Sequence, residues 1–296
     1  MEEILFTKMH GLGNDYVYLN CMDTCPADLP ALSVEMSDRH TGVGSDGIIL
    51  ILPSEVADYR MRIFNADGSE AQMCGNGIRC VGKYLYDRHI TPLTDLSIET
   101  EAGIRQLYLH VNPSTDTVDL VTVDMGVPVI DPASIPVDAP GTKMLDRGVI
   151  TRYGVMTITA VSMGNPHGVV FIDDLDHTPV EKLGPELESH SMWPEKANIE
   201  FAQVLDPKHI RMRVWERGSG ETRACGTGAC AVVVAALLTG RVSAESGSPV
   251  SVELPGGTLS ISRSRDGHIH MTGPAVTVFD GKYFRVTPHR SFKLNI

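Results

Sequence analysis

The chain of 296 residues is long enough for two domains with full cores, because single hydrophobic cores stop growing near this size. Its 37 acidic against 25 basic residues leave a net charge of −12, which argues against nucleic acid or anionic membrane as a partner, and no local basic patch overrides it. The longest apolar run, Gly228 to Leu238, falls far short of the about 20 residues that span a bilayer, and "MEEILFTKMH" shows no signal-peptide pattern, so a cytoplasmic chain is expected.

Six cysteines in so long a chain do not suggest a disulfide scaffold, and reduced thiols are expected. Cys21 and Cys25 fall in the loop "NCMDTCPAD" and receive no chemical role. "GVGSDG" (Gly42 to Gly47) matches a dinucleotide-binding pattern in letters only, since no clear strand precedes it and no amphipathic helix clearly follows. "DYRMRIFN" alternates apolar and polar side chains with period two, the mark of a half-buried strand. A turn rich in Gly and Ser leads to Cys74, and "GNGIRCVGKYLYDRH" reads as a helix. Next, in "VPVIDPASIPVDAP", Pro128, Pro132, Pro136 and Pro140 rule out helix and suit a stiff extended connector. "HIRMRVWE" repeats the strand pattern before Cys225. The helix "GTGACAVVVAALLTGR" then stops at Gly240 and is apolar on every face from Ala229 to Leu238, so it should lie buried in the middle of its domain.

An internal repeat organises these elements. Arg62/Arg213, Glu70/Glu221, Cys74/Cys225, Gly75/Gly226 and Gly77/Gly228 coincide without a gap at an offset of 151 residues. The same offset pairs Gly13-Asn14 with Gly164-Asn165 and "GIIL" with "NIEF". The expected fold is therefore α+β: two pseudo-symmetric domains from an internal duplication, each a strand-rich barrel or roll around a central helix, with the active site in the cleft between them. The boundary falls near residue 127, giving halves of 1–126 and 127–280, with the tail 281–296 packing back onto the first half.

Each of Cys74 and Cys225 sits at a turn from strand into helix. Free backbone N–H groups and the helix dipole stabilise anions there, and thiol pKa values at such positions fall from about 8.5 toward roughly 3.5 to 7.5. The glycines that follow leave room for a carboxylate to lie on those N–H groups. Facing one another across the cleft, the sites would offer two thiols to opposite faces of one carbon, one removing a proton and the other donating one. Zinc favours cysteines two to four residues apart, whereas these pairs are C-x5-C and C-x4-C, so no metal is assigned. Cys80 and Cys230 read as buried apolar residues. No C-x-x-C supports a redox dithiol, although Cys74 and Cys225, if close, could be oxidised to an inactivating disulfide.

"FTKMHGLGNDYVYL", "DRHTGVGSDG", "RIFNADGSEAQMCGNGIRC", "MGNPHGVVF", "ANIEF" and "ERGSGETRACGTGAC" together resemble the diaminopimelate epimerase family of cofactor-independent, two-cysteine racemases. The resemblance covers nearly the whole chain except residues 104–160 and the last fifteen. It implies Cys74 and Cys225 as base and acid, with His167 near Cys74 and Glu216 near Cys225 assisting them. It implies substrate contacts from Asn14, Asn65, Gly75, Asn76, Asn165, Asn198, Glu216, Arg217, Gly226 and Thr227, with Arg217 on the distal carboxylate. Gly47 stands where some members carry a substrate-contacting glutamine, and Tyr16, where phenylalanine is common, reads as a packing change. The implied reaction interconverts LL- and meso-diaminopimelate for lysine and peptidoglycan precursors, with no pyridoxal phosphate or metal, and a homodimer is the family expectation. A related racemase with another substrate would share the cysteines but not the distal wall. A thiol-based metal or redox sensor would have no use for two carboxylate cradles.

Overall fold

A computed structural model describes residues 2–243 and 245–285. The first half runs β1 (Glu2–Gly11), β2 (Asn14–Asn20), α1 (Leu29–Ser37), β3 (Gly47–Leu52), β4 (Tyr59–Asn65), β5 (Glu70–Ala71), α2 (Gly75–Asp87), β6 (Asp95–Thr100), β7 (Gly103–Asn112) and β8 (Thr117–Asp124). The second runs β9 (Arg147–Thr151), β10 (Gly154–Ser162), β11 (Pro166–Phe171), α3 (Val180–Glu188), β12 (Asn198–Asp206), β13 (His209–Glu216), β14 (Gly220–Thr222), α4 (Gly226–Leu238), β15 (Val250–Leu254), β16 (Gly257–Arg263), β17 (Ile269–Pro274) and β18 (Val276–Arg285).

Strand pairing repeats in the same order of directions. In the first half β1–β2 is antiparallel, β2–β3 parallel, β3–β4 antiparallel, β4–β6 parallel, and β6–β7 and β7–β8 antiparallel. In the second, β10–β11, β11–β12, β12–β13, β13–β15, β15–β16 and β16–β17 follow the identical sequence. Register is preserved as well: Ile49 pairs with Ile63, and Glu200 with Val214, each partner displaced by the repeat. An antiparallel β8–β17 ladder joins the halves, strengthened by a Thr122–Thr272 hydroxyl contact of 2.7 Å. β18 returns to pair with β1 from Val276 onward, so residues 281–285 lie on the first half; 286–296 lie outside the described residues.

The expected two-fold α+β architecture is present, with α2 and α4 as the central helices. α2 packs on β1, β2, β7 and β8, and α4 on β10 to β12 and β15 to β17. α4 is buried from Ala229 to Ala236, as its apolar circumference requires, and ends at Thr239 with Gly240 at φ 70°. Each fully buried valine of α4 contributes about 1.5–3 kcal/mol relative to exposure.

Strands β4 and β13 alternate as their sequences predict. Met61, Ile63, Ile210, Met212 and Val214 point inward, while the intervening arginines face out and meet carboxylates. Arg62 clasps Glu70 at 2.7 and 3.0 Å, and Arg213 clasps Glu221 at 2.7 and 2.9 Å. These bidentate pairs pin the short strands β5 and β14 that deliver the chain to each cysteine.

The proline-rich connector departs from a simple extended spacer. It turns at residues 132–136 and buries Ile135, Val137 and Met144 in the second core, in one apolar cluster with Trp193 and Leu187. "GVGSDG" lies between a helix and a strand, the reverse of the dinucleotide-binding order. At Gly47 a Cβ would stand 2.2 Å from the Phe64 carbonyl oxygen, so the backbone here admits no side chain.

Candidate active site

Cys74 and Cys225 are the N-caps of α2 and α4, both in extended backbone (φ −137°, ψ 114° and φ −123°, ψ 111°). The two helix starts meet. A Cβ on Gly226 would lie 3.8 Å from the Gly75 Cα, and Cβ atoms on either glycine would press on Met271, at 2.9 to 3.0 Å. Only residues without a side chain allow this approach. Asn76 bridges the halves by donating to the Ala224 carbonyl at 3.3 Å.

Both cysteines line one cavity of about 1370 Å³. Asn14, Asn65, Gly75, Asn76, Asn165, Glu216, Arg217, Gly226 and Thr227 line it too. Its first-half wall is braced by charge: Asn14 donates to Asp46 at 2.8 Å, and Arg39 bridges Asp15 and Asp46. On the other wall Thr222 donates to Glu216, and Arg217 donates to the Glu195 carbonyl at 3.0 Å.

His167 and Asn198 are buried behind this lining. The Asn198 amide donates to the Pro166 carbonyl at 2.9 Å and accepts from the Arg217 backbone N–H at 3.0 Å, so both its ends are engaged and it holds the Arg217 turn rather than facing the cavity. The resemblance places His167 beside Cys74. In the structure its Nδ1 is 2.7 Å from Glu200 Oε1 and its Nε2 3.0 Å from Asn165 Oδ1, while the Cys74 sulfur bonds Asn14 at 3.3 Å.

The caps also differ. Cys74 Sγ accepts from the Gly77 N–H at 3.3 Å; Cys225 Sγ makes no such cap and sits 3.5 Å from Thr227 Oγ1. Neither thiol is depressed in the way an isolated helix start would dictate. Burial pushes Cys74 up, against the Gly77 and Asn76 N–H groups and the Arg79 guanidinium, which favour its thiolate. Burial together with the Glu216 and Glu200 carboxylates pushes Cys225 well above the ordinary thiol value. Desolvation by two closing halves outweighs the local dipole. Burial raises Glu216 as well, opposed by hydrogen bonds to Thr222 and Cys225.

Three residues beside the thiols escape reading by motif. Tyr16 is buried with its hydroxyl toward Cys74 and Asn14, so it is more than a packing change. Arg79, in the second turn of α2, is fully buried, donating to the Gly75 carbonyl at 3.1 Å and the Asn76 side chain at 3.0 Å. Glu200 is fully buried under α4. The repeat held the signal: Tyr16 matches His167, and Glu200 matches Ile49. Cys80 and Cys230 are buried apolar filler, as expected. Among the described residues no group of three His, Cys, Asp or Glu side chains is arranged to hold a metal ion.

Comparison with known proteins agrees with this geometry. The profile of the diaminopimelate epimerase family matches residues 6–130 and 159–278. Diaminopimelate epimerase of Methanococcus maripaludis strain C5 is 49% identical over 278 residues, covering 94% of this chain and 98% of the relative. That of Pelotomaculum thermopropionicum is 50% identical over 280 residues, with the same coverages. The fold is shared more widely, as with a Bacillus anthracis phenazine biosynthesis protein of the PhzF family at TM-score 0.70, 20% identity and coverage of 96% and 100%. By sequence identity along nearly its full length, the chain belongs to the diaminopimelate epimerase family.

Proposed function

We propose that the protein interconverts LL- and meso-2,6-diaminopimelate by two-base proton transfer, in the lysine and peptidoglycan precursor route. The observation that carries this reading is the meeting of two cysteine-capped helix starts in one cavity. The substrate's α-carboxylate lies on the free N–H groups at Gly75-Asn76 and Gly226-Thr227, where the two helix dipoles converge. The α C–H bond breaks as one sulfur takes the proton, and the electron pair left on carbon spreads into the carboxylate, whose growing charge the helix-start N–H groups stabilise. The opposing thiol then gives its proton to the other face, and configuration inverts. One thiolate and one thiol are exchanged for one thiol and one thiolate, so each cysteine is base in one direction and acid in the other.

Arg217 pairs with the distal carboxylate, and Asn14, Asn65 and Asn165 fix the distal amino-acid head. Asn198 acts on substrate through the Arg217 turn, and His167 and Glu216 act on the thiols. No pyridoxal phosphate, metal or other cofactor takes part in this scheme. The two halves are taken as residues 1–126 and 127–280. The cytoplasm keeps such thiols reduced and is the proposed location, and a homodimer is the proposed assembly. No described helix is long and apolar enough to cross a membrane.

Incubation with LL-diaminopimelate in deuterated water, without added cofactor, tests the reading. Deuterium at one α-carbon of the meso product is expected. A protein that exchanges proline or hydroxyproline instead would move the assignment to a related racemase, and one that exchanges none of these would end the epimerase reading.

A further inference from the structure

The duplication makes the surroundings of the two cysteines directly comparable, and they differ at five equivalent positions: Tyr16/His167, Ile49/Glu200, Asn65/Glu216, Asn76/Thr227 and Arg79/Cys230. The equivalence is structural. Residues 49 and 200 occupy the same ladder register, on β3 and β12. Each reaches the third residue of the helix above it. A Cβ on Gly77 would meet Ile49 Cδ1 at 2.6 Å and Cys74 Cβ at 3.4 Å; a Cβ on Gly228 would meet Glu200 Oε1 at 2.7 Å and Cys225 Sγ at 3.3 Å. A methyl group thus lies beneath one cysteine where a carboxylate lies beneath the other.

Glu200 is fully buried, with Oε1 on His167 Nδ1 and Oε2 without a hydrogen-bond partner among the described residues. A buried carboxylate with one free oxygen is costly unless nearby dipoles offset it, and the first turn of α4 lies directly beside this one. Its field nonetheless falls on Cys225. The groups facing Cys225 are Glu200 from β12, Glu216 from β13 and the Thr227 hydroxyl and Gly228 N–H from α4, with His167 of β11 behind Glu200. Those facing Cys74 are the Gly77 and Asn76 N–H groups and Arg79 from α2, Asn14 and the Tyr16 hydroxyl from β2, and Glu216 across the cleft. Cys225 thus faces two carboxylates; Cys74 faces Glu216 alone and gives its S–H to Asn14 Oδ1, with two backbone N–H donors and a buried cation beside it.

We propose that Glu200, held by His167, is a positioning residue that orders the two thiols, so that the first proton lost by the pair leaves Cys74 while Cys225 stays protonated. In the epimerase reading, on which only this consequence rests, the free enzyme then presents Cys74 as base and Cys225 as acid. A thiol beside an added carboxylate is harder to ionise by about 1–3 pH units, enough to separate the steps of a coupled pair.

The test uses the full chain labelled with [β-13C]cysteine, whose six resonances are assigned by single Cys→Ser substitutions and titrated through the thiol range. The Cys74 midpoint is expected below that of Cys225. Glu200→Gln, which keeps shape and removes charge, should bring the Cys225 midpoint down by about one pH unit or more and move Cys74 less. Glu200→Asp, which keeps the charge, should preserve the order. Cys225 titrating first or together with Cys74 in the unaltered protein overturns the proposal whatever the variants do, and an unmoved Cys225 in Glu200→Gln overturns the part given to Glu200. The titration needs no substrate, so its failure is distinct from a failure to incorporate deuterium.

Discussion

The two halves of the molecule place a cysteine at the same address and then surround it differently. Around Cys74 the repeat supplies Tyr16, Ile49, Asn65 and Arg79; around Cys225 it supplies His167, Glu200, Glu216 and Cys230. Backbone and register are shared, down to the arginine clasp before each cysteine. The difference is almost wholly one of charge. Duplication of a fold provides two opposed proton carriers, but two identical carriers would compete for the same proton state. Divergence at a few inward-facing positions gives them different affinities while leaving the scaffold intact.

Loss of either carrier is the largest effect the comparison predicts. Cys74→Ala and Cys225→Ala should each reduce epimerisation by at least about 10³-fold, near the upper range for general acid–base groups. Epimerisation followed by chiral chromatography of the two isomers checks this, and full activity in either variant would remove the two-base scheme.

The pH profile of kcat/KM in the free enzyme comes next. Burial raises both thiols above the ordinary value, and at Cys225 the Glu200 carboxylate adds to the rise. Activity should rise as Cys74 loses its proton and fall only when Cys225 loses its own, so the bell is displaced to the alkaline side. An optimum below neutrality would contradict the upward shift of both thiols.

The distal wall should respond by binding rather than by chemistry. Arg217→Lys gives up the planar fork and should raise KM by about 10- to 100-fold, with a smaller change in kcat. Asn198→Ala frees the Arg217 backbone N–H and should raise KM in the same direction by less, because it acts through that turn. A fall in kcat alone would place Asn198 with the thiols instead.

Much of this contrast was legible in the sequence, for reasons that also mark where reading stops. The ungapped offset through Arg62/Arg213 and Cys74/Cys225 survives because the clasp, the cap and the glycines are local requirements of chain geometry. Helix α4 was legible because a run of apolar residues can only be buried. The direction of the thiol shifts was not, because a cap is local whereas desolvation depends on two distant segments closing over it. Glu200 was visible as the partner of Ile49, yet one glutamate in a strand pattern carries no sign of what lies above it. Arg79, too, reads as an ordinary helix cation until the helix is known to be enclosed on all sides.

The smallest expected effects separate scaffold from chemistry. Alanine at Gly77 would press on a methyl group of Ile49, and alanine at Gly228 on the Glu200 carboxylate. Both should destabilise by about 1–3 kcal/mol as overpacking, measured by denaturant unfolding. Gly228→Ala should move the pH profile more than Gly77→Ala, because it displaces a charge beside Cys225, whereas the methyl group carries none. The arginine clasps give the lower bound. Partly exposed pairs contribute about 0–1 kcal/mol, so Arg62→Ala and Arg213→Ala should cost little stability. Their cost to activity should be similar in the two halves, since each clasp does the same work in delivering a cysteine to its helix. A large inequality between the two would mean that the halves differ in backbone support as well as in charge.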